Sequence, residues 1–372
     1  MNVSGNNQDK QFIFDNLEKI ILLRMIFSII SLIACFIIIL LYFLLLYQVK
    51  CSKNPNKKDQ ETRNTMTETI GSTKANKIGL GSHYMFFLVL SNFFSSLVEG
   101  HFYLKLYSID KSKDKDDEYF NSFSNSYYCI GYAFFHNFFE LCGICWTTMI
   151  TRLFYHSTQI VRTVSQKNQM AYSFLYSILS SLFISILPII FRGGYGFAYT
   201  HCSFVKEEFL KDGKKNKDYT LAFVFGTILT IFIVINFLFN IYALFKSYSY
   251  YKKKIKQLKD QNESEYSSLK IYVYLFFIFP VILLVTRFLK LLQFGADFLK
   301  MKELNDFELI LTYINSILYC LTGSFDSGFC FFFFRGVYRT CCDKKETDLM
   351  DSLDSNSISI VQSETKDFND TN

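Results

Sequence analysis

The chain has 372 residues, half of them hydrophobic and 43 of them Phe, with a formal net charge of +6. A soluble protein of this length spreads its apolar residues periodically over its cores; here they stand in unbroken blocks of about 20 or more, the length that crosses roughly 30 Å of hydrocarbon as helix. This excludes a soluble domain, and it gives the basic charge a role in membrane topology and lipid contact rather than in nucleic-acid binding.

Seven spans are predicted, at about 20–47, 83–106, 127–155, 171–191, 219–246, 269–292 and 307–334. The first begins IILLRMIFSIISLIACFIII; its apolar run is too long for a signal peptide and no small-residue cleavage site follows, so it reads as a retained anchor. Residues 1–19 precede it as an outer N-terminal segment, with Asn2-Val3-Ser4 as a glycosylation sequon. Span two carries Asn92 in its inner half and ends on Glu99 and His101. Span three, YYCIGYAFFHNFFELCGICWTTMITRLFYH from Tyr127, opens on Cys129 and carries His136 and Glu140 in its outer half. These two are four residues apart and share one helix face. A charge at mid-bilayer costs roughly 2.5–3.5 kcal/mol on insertion scales, so such groups face the bundle interior or a wet cavity. The pair is therefore expected to line a polar cavity and to touch ligand; an interhelical hydrogen bond with Glu140 protonated is the alternative.

Span four contains Pro188, and the outer segment RGGYGFAYTHCSF after it contains Cys202. Span six contains Pro280, which favours a kink, and Arg287, set in apolar wall where it could pair with Glu140 or Glu99 or hold an anion. Lys290, one turn on, reads as snorkelling to the interface. Asp326 lies in the inner half of span seven; with Asn92 it forms a possible water or ion site that helps switch the bundle, structural hydrogen bonding being the alternative. Cys341 and Cys342 follow the basic exit of span seven and suit reversible palmitoylation, or stay as reduced thiols. The tail, 341–372, is polar, acidic and serine-rich, and is expected to be disordered.

Lys and Arg set the orientation. The loops at 48–82 and 247–268 and the segment after span seven are basic, which makes their side cytoplasmic and puts the N-terminus outside. The outer loop 192–218 also holds five lysines, so the bias is modest. With this topology Cys129 and Cys202 both face an oxidising compartment, and a bridge between them would tie the second outer loop over span three; two unpaired thiols are the alternative. No CxxC pair has a matching second pair, so no zinc site is expected. Neither a Ser-His-Asp arrangement nor a phosphate loop is present, span seven has no Lys for a Schiff base, and no cofactor is expected.

Seven spans with these two cysteines resemble the G-protein-coupled receptors. Finer details look like the slime-mould cyclic-AMP receptor family and its protist members: Cys129 with Gly131 and Phe134, then Trp146-Thr147 in span three; Tyr195-Gly196 leading to Cys202; LSNFFSSL in span two; and LTGSFDSGFCFFFFRGVYR in span seven. Asn92 falls near the place where that family has Asp, and Asp326 stands where it has Asn. TRLFY replaces DRY and no NPxxY occurs, which sets the chain apart from the rhodopsin-like class. The resemblance implies a plasma-membrane receptor, not an enzyme. An extracellular small molecule, a cyclic nucleotide among the candidates, would bind at Glu99, His136, Glu140 and Arg287. A heterotrimeric G protein would meet the inner loop SYSYYKKKIKQLKD, with Lys252, Lys253 and Lys254, whose other role is lipid attraction. A transporter or channel is the alternative function; no internal repeat supports it.

Overall fold

The computed structural model describes residues 5–51, 80–108, 127–158, 166–191, 195–198, 201–204 and 218–259, together with 281, 314, 317–318, 321–332 and 334. Five long helices follow in chain order: α1 (Gly5–Cys51), α2 (Leu80–Ser108), α3 (Tyr127–Thr158), α4 (Gln166–Ile190) and α5 (Asp218–Lys259). A hairpin of β1 (Tyr195–Ala198) and β2 (His201–Phe204) stands between α4 and α5. Residues 321–332 are also helical. Cα packing divides the chain into one unit of Met1–Leu40 with Gly79–Phe329 and a second of Leu41–Ile78 with Cys330–Asn372. In the second unit the Tyr42 and Phe334 rings lie 5.7 Å apart.

Four helical stretches among the described residues are long and apolar enough to cross a membrane: Lys19–Tyr47, Leu80–Tyr107, Asn168–Ile190 and Val224–Tyr250. They coincide with predicted spans one, two, four and five. The helix in the place of span three does not qualify, although its 32 residues are long enough. The reason lies in its position. α3 packs against α2, α4, α5 and both strands, and its residues 140–151 are all buried. A helix enclosed by other helices can carry polar groups that a lipid-facing helix cannot.

The surrounding helices are inside out relative to a soluble protein. On α1 the buried face carries Arg24, Ser28, Ser31 and Cys35, while Ile26, Ile29, Ile33, Ile37 and Leu40 are exposed. On α4 the buried row is Ser173, Ser177, Ser181 and Ser185, and Leu175, Leu179 and Phe183 face out. On α5 Asn236, Asn240 and Ser247 are buried, with Ile231, Ile235 and Leu238 exposed. Water would not tolerate such continuous apolar surface; hydrocarbon requires it.

Two helices run past their predicted ends. α1 starts at Gly5 rather than near 20, and α5 continues to Lys259 rather than ending near 246. No Gly or Pro interrupts either extension beyond Gly5, so nothing in the sequence breaks the helix where the apolar run stops. The basic run Lys252–Lys254 thus lies on a helix rather than in a loop, and Lys252 and Lys253 are exposed.

Small residues let α1 meet 321–332 closely. Ser31 Oγ lies 3.2 Å from Ser324 Oγ and accepts from the Ser324 amide at 3.2 Å; Cys35 Sγ donates to the Gly323 carbonyl at 3.5 Å. A Cβ on Gly323 would stand 3.2 Å from both Cys35 Sγ and Ser31 Oγ. Gly323→Val therefore forces the two helices apart. It should lower stability by about 1–3 kcal/mol, read as a drop in thermal midpoint in detergent, whereas Gly328→Ala, which has open space, should change little.

Candidate functional site

The N-terminal end of α3 is held by the hairpin. The strands pair antiparallel with Tyr195 opposite Phe204 and Phe197 opposite Cys202. Cys129 at the start of α3 forms a disulfide with Cys202 on β2, Cα to Cα 5.4 Å, and both are buried. A second tie uses Tyr195. Its hydroxyl donates to the Ser185 carbonyl on α4 at 3.0 Å and accepts from Asn137 Nδ2 on α3 at 3.2 Å. Burial raises the Tyr195 phenol above its usual range, the Asn137 amide opposing, so Tyr195 stays a donor at any physiological pH. The Tyr195 tie was not legible as such; a Tyr directly after Gly193-Gly194 in a loop gives no signal of its partners.

Below the disulfide an aromatic stack leads inward. Tyr128 and Phe102 lie parallel at 6.1 Å, Phe102 and Tyr132 at 3.9 Å, and Tyr132 and His136 at 5.4 Å. At the rim the Tyr128 hydroxyl and His101 Nδ1 are 3.0 Å apart, and Lys105 Nζ stands 3.7 Å over the Tyr128 ring. His136 Nε2 is 3.7 Å from Glu140 Oε2, the spacing of a partner one turn along the same helix. Both side chains are buried.

α1 contributes groups to the same depth. Ser28 Oγ donates to Glu99 Oε2 at 3.3 Å, and Arg24 Nη1 donates to the Tyr103 hydroxyl at 2.5 Å with its guanidinium 5.7 Å from that ring. Arg24 was overlooked in the sequence. It is 6% exposed, and its signal was a lone cation inside the apolar run of the first span. α2 and α3 run antiparallel with Phe102 against Tyr132 and Phe94 against Phe139. That register sets Glu99 and His136 at depths within about one turn of each other, and likewise Asn92 and Glu140.

Asn92 and Asp326, expected to act together, do meet: Asn92 Nδ2 donates to Asp326 Oδ2 at 2.5 Å, and both are buried. The contact is direct. Deeper in the bundle Asn236 joins three helices, its Oδ1 accepting from Thr148 at 3.0 Å and Tyr176 at 3.2 Å, while Asn240 Nδ2 donates to Thr148 Oγ1 at 3.2 Å. Asn240 Oδ1 and Ser247 Oγ are buried with no hydrogen-bond partner among the described residues. Of the other expected site residues, Arg287, Pro280, Cys341 and Cys342 lie outside the described residues, and so does the side chain of Lys254. No group of three or more His, Cys, Asp or Glu side chains among the described residues could hold a metal.

The fold resembles that of squid rhodopsin, with a TM-score of 0.55 over 87% of this chain and 84% of that one, at 14% sequence identity. At that identity the likeness is one of fold. No protein-family model and no curated protein matches the sequence.

Breaking the disulfide should loosen the hairpin on α3, leaving the Asn137–Tyr195 bond as the remaining tie. Cys129→Ser is expected to cost about 2–5 kcal/mol, seen as a lower thermal midpoint and reduced surface expression. A reductant should lower the wild-type midpoint and leave that of the variant in place.

Proposed function

We propose that the chain is a seven-span cell-surface receptor of the plasma membrane that passes an extracellular signal to a heterotrimeric G protein. Residues 1–19 lie outside, 20–340 form the bundle with a short juxtamembrane helix, and 341–372 form a cytoplasmic tail that Cys341 and Cys342 anchor by acylation. The observation that carries the reading is the tethered hairpin above a file of buried ionisable side chains, in a bundle of rhodopsin-like fold. Its ligand is a small molecule entering beneath the hairpin to meet Glu99, His136, Glu140 and Arg287. A cyclic nucleotide would need Arg287 and the outer-loop lysines as its phosphate clamp.

Ligand binding shifts the population between two packings of the bundle. The Asn92–Asp326 bond and the kink at Pro280 are the elements that exchange. The inner half of α5 supports this division of labour. Asn240 and Ser247 are buried on this half of α5, and the exposed Lys252 and Lys253 lie beyond them toward the cytoplasm. Lys252, Lys253 and Lys254 then face the G protein. A transporter is the second reading, because a file of polar groups also suits a substrate path; flux into proteoliposomes distinguishes it.

Replacing Lys252, Lys253 and Lys254 by Gln should cut ligand-free nucleotide exchange on a co-reconstituted G protein several-fold, with surface expression kept. Once a screen finds an agonist, Glu140→Ala should weaken its response at least tenfold, a loss of about 1.4 kcal/mol. Unchanged exchange and an unchanged response would rule out both assignments.

A further inference from the structure

The surface that α2 and α3 turn away from the bundle differs from its neighbours. Along the middle of α1 and α5 the exposed apolar side chains are mostly Ile and Leu. Between α2 and α3 three phenylalanines form a flat ledge instead. Phe94 of α2 and Phe139 of α3 stack at 5.1 Å with 20° between their planes, and Phe135 lies 6.3 Å from Phe139 at 18°. Phe135 is 49% exposed, and Phe94 and Leu97 of α2 are exposed beside it.

Helical spacing puts Tyr128, Gly131, Phe135 and Phe139 on one face of α3, and Phe94, Leu97, His101 and Lys105 on one face of α2. Gly131 interrupts the aromatic row. A Cβ built on it would meet no atom within 4 Å, so a notch opens between Tyr128 and Phe135. Polar groups stand at the end of the notch: His101 Nδ1 and the Tyr128 hydroxyl are 3.0 Å apart, with Lys105 Nζ 3.7 Å over the Tyr128 ring. His101 and Lys105 are exposed, and the apolar span of α2 ends at Tyr107, so this pair stands where hydrocarbon gives way to water. In the other direction the ledge is closed by Phe174 of α4, which lies 5.7 Å from Phe87 and 6.4 Å from Trp146.

Length and chemistry select the occupant. Tyr128 to Phe139 covers about 16 Å of helix axis, half of a hydrocarbon layer of about 30 Å. An amphiphile one leaflet deep, with its polar group at the interface, matches that reach. A flexible acyl chain loses rotamer freedom when laid on a fixed ledge, whereas a fused-ring body has little to lose. A flat body also gains dispersion contact over a whole face of the aromatic row. At the polar end, a hydroxyl can donate to an imidazole nitrogen or accept from a phenol.

We propose that the α2–α3 ledge is a sterol-binding site, in which the ring system lies on Phe94, Phe135 and Phe139, its edge enters the notch at Gly131, and its hydroxyl meets His101 and Tyr128. The site needs only the folded bundle in lipid, so it is tested without agonist or G protein and its failure is separate from failure of the receptor reading.

The experiment puts the full chain in phosphatidylcholine nanodiscs with a diazirine-bearing cholesterol analogue, irradiates, and maps the label by mass spectrometry. Label should concentrate on the segments 94–101 and 128–139 and be displaced by unlabelled cholesterol. Gly131→Leu fills the notch and puts a better helix former in place of Gly; it should cut this labelling at least fivefold. His101→Ala should weaken it by about fivefold, the loss of one hydrogen bond. Gly328→Leu, which adds the same bulk at an exposed glycine of 321–332, should leave it unchanged. Should Gly131→Leu fail to fold, His101→Ala against Gly328→Leu decides the matter. Label spread over the exposed faces of α1, α4 and α5 is bulk lipid solvation only and overturns the proposal. Displacement by phosphatidylglycerol as effective as by cholesterol gives the ledge to phospholipid and overturns it equally, as does labelling that neither Gly131→Leu nor His101→Ala reduces.

Discussion

Everything in this bundle follows from one constraint: a polar side chain cannot face hydrocarbon, so each must turn inward and find a partner. α1, α4 and α5 obey it by reversing the usual amphipathic order, with Ser, Asn and Arg on the buried face and Ile, Leu and Phe outside. Between such helices apolar burial supplies little, because lipid is as apolar as Leu. Contact rests instead on close approach of small residues and on hydrogen bonds. The meeting of Ser31, Cys35 and Gly323, and the Asn236 junction with Thr148 and Tyr176, are of this kind.

The same constraint explains what could be read from the sequence. Spans one, two, four and five were legible because their lipid-facing sides fill them with apolar residues. The Cys129–Cys202 bridge was legible from topology plus redox chemistry, and Asn92 with Asp326 from their rarity in apolar runs. α3 was read as an apolar span on length, but as the enclosed helix it owes nothing to lipid along 140–151, and its polar residues keep it from qualifying. Arg24 was hidden by its surroundings: one cation inside a long apolar run looked like part of an anchor, and only the position of Tyr103 shows its use. The helical extent of the basic run on α5 was missed because hydropathy marks where lipid ends, not where helix ends.

The constraint is most expensive to meet where ionisable groups are buried. Buried ionisable groups gather under the hairpin, where the disulfide and Tyr195 fix the lid and the Tyr128–Phe102–Tyr132–His136 stack joins α2 to α3. Groups this deep change state only together with their neighbours, because each charge depends on its partner for stability.

The central claim is the inside-out arrangement, and spin labels placed one at a time in lipid nanodiscs test it most directly. Labels at Ile33, Leu179 and Ile235, all exposed apolar positions, should be accessible to oxygen and closed to a water-soluble nickel complex. Labels at Ser31, Ser181 and Asn240 should be closed to oxygen. Free access of the nickel complex to Ile33, Leu179 and Ile235 would place those faces in water and contradict the account.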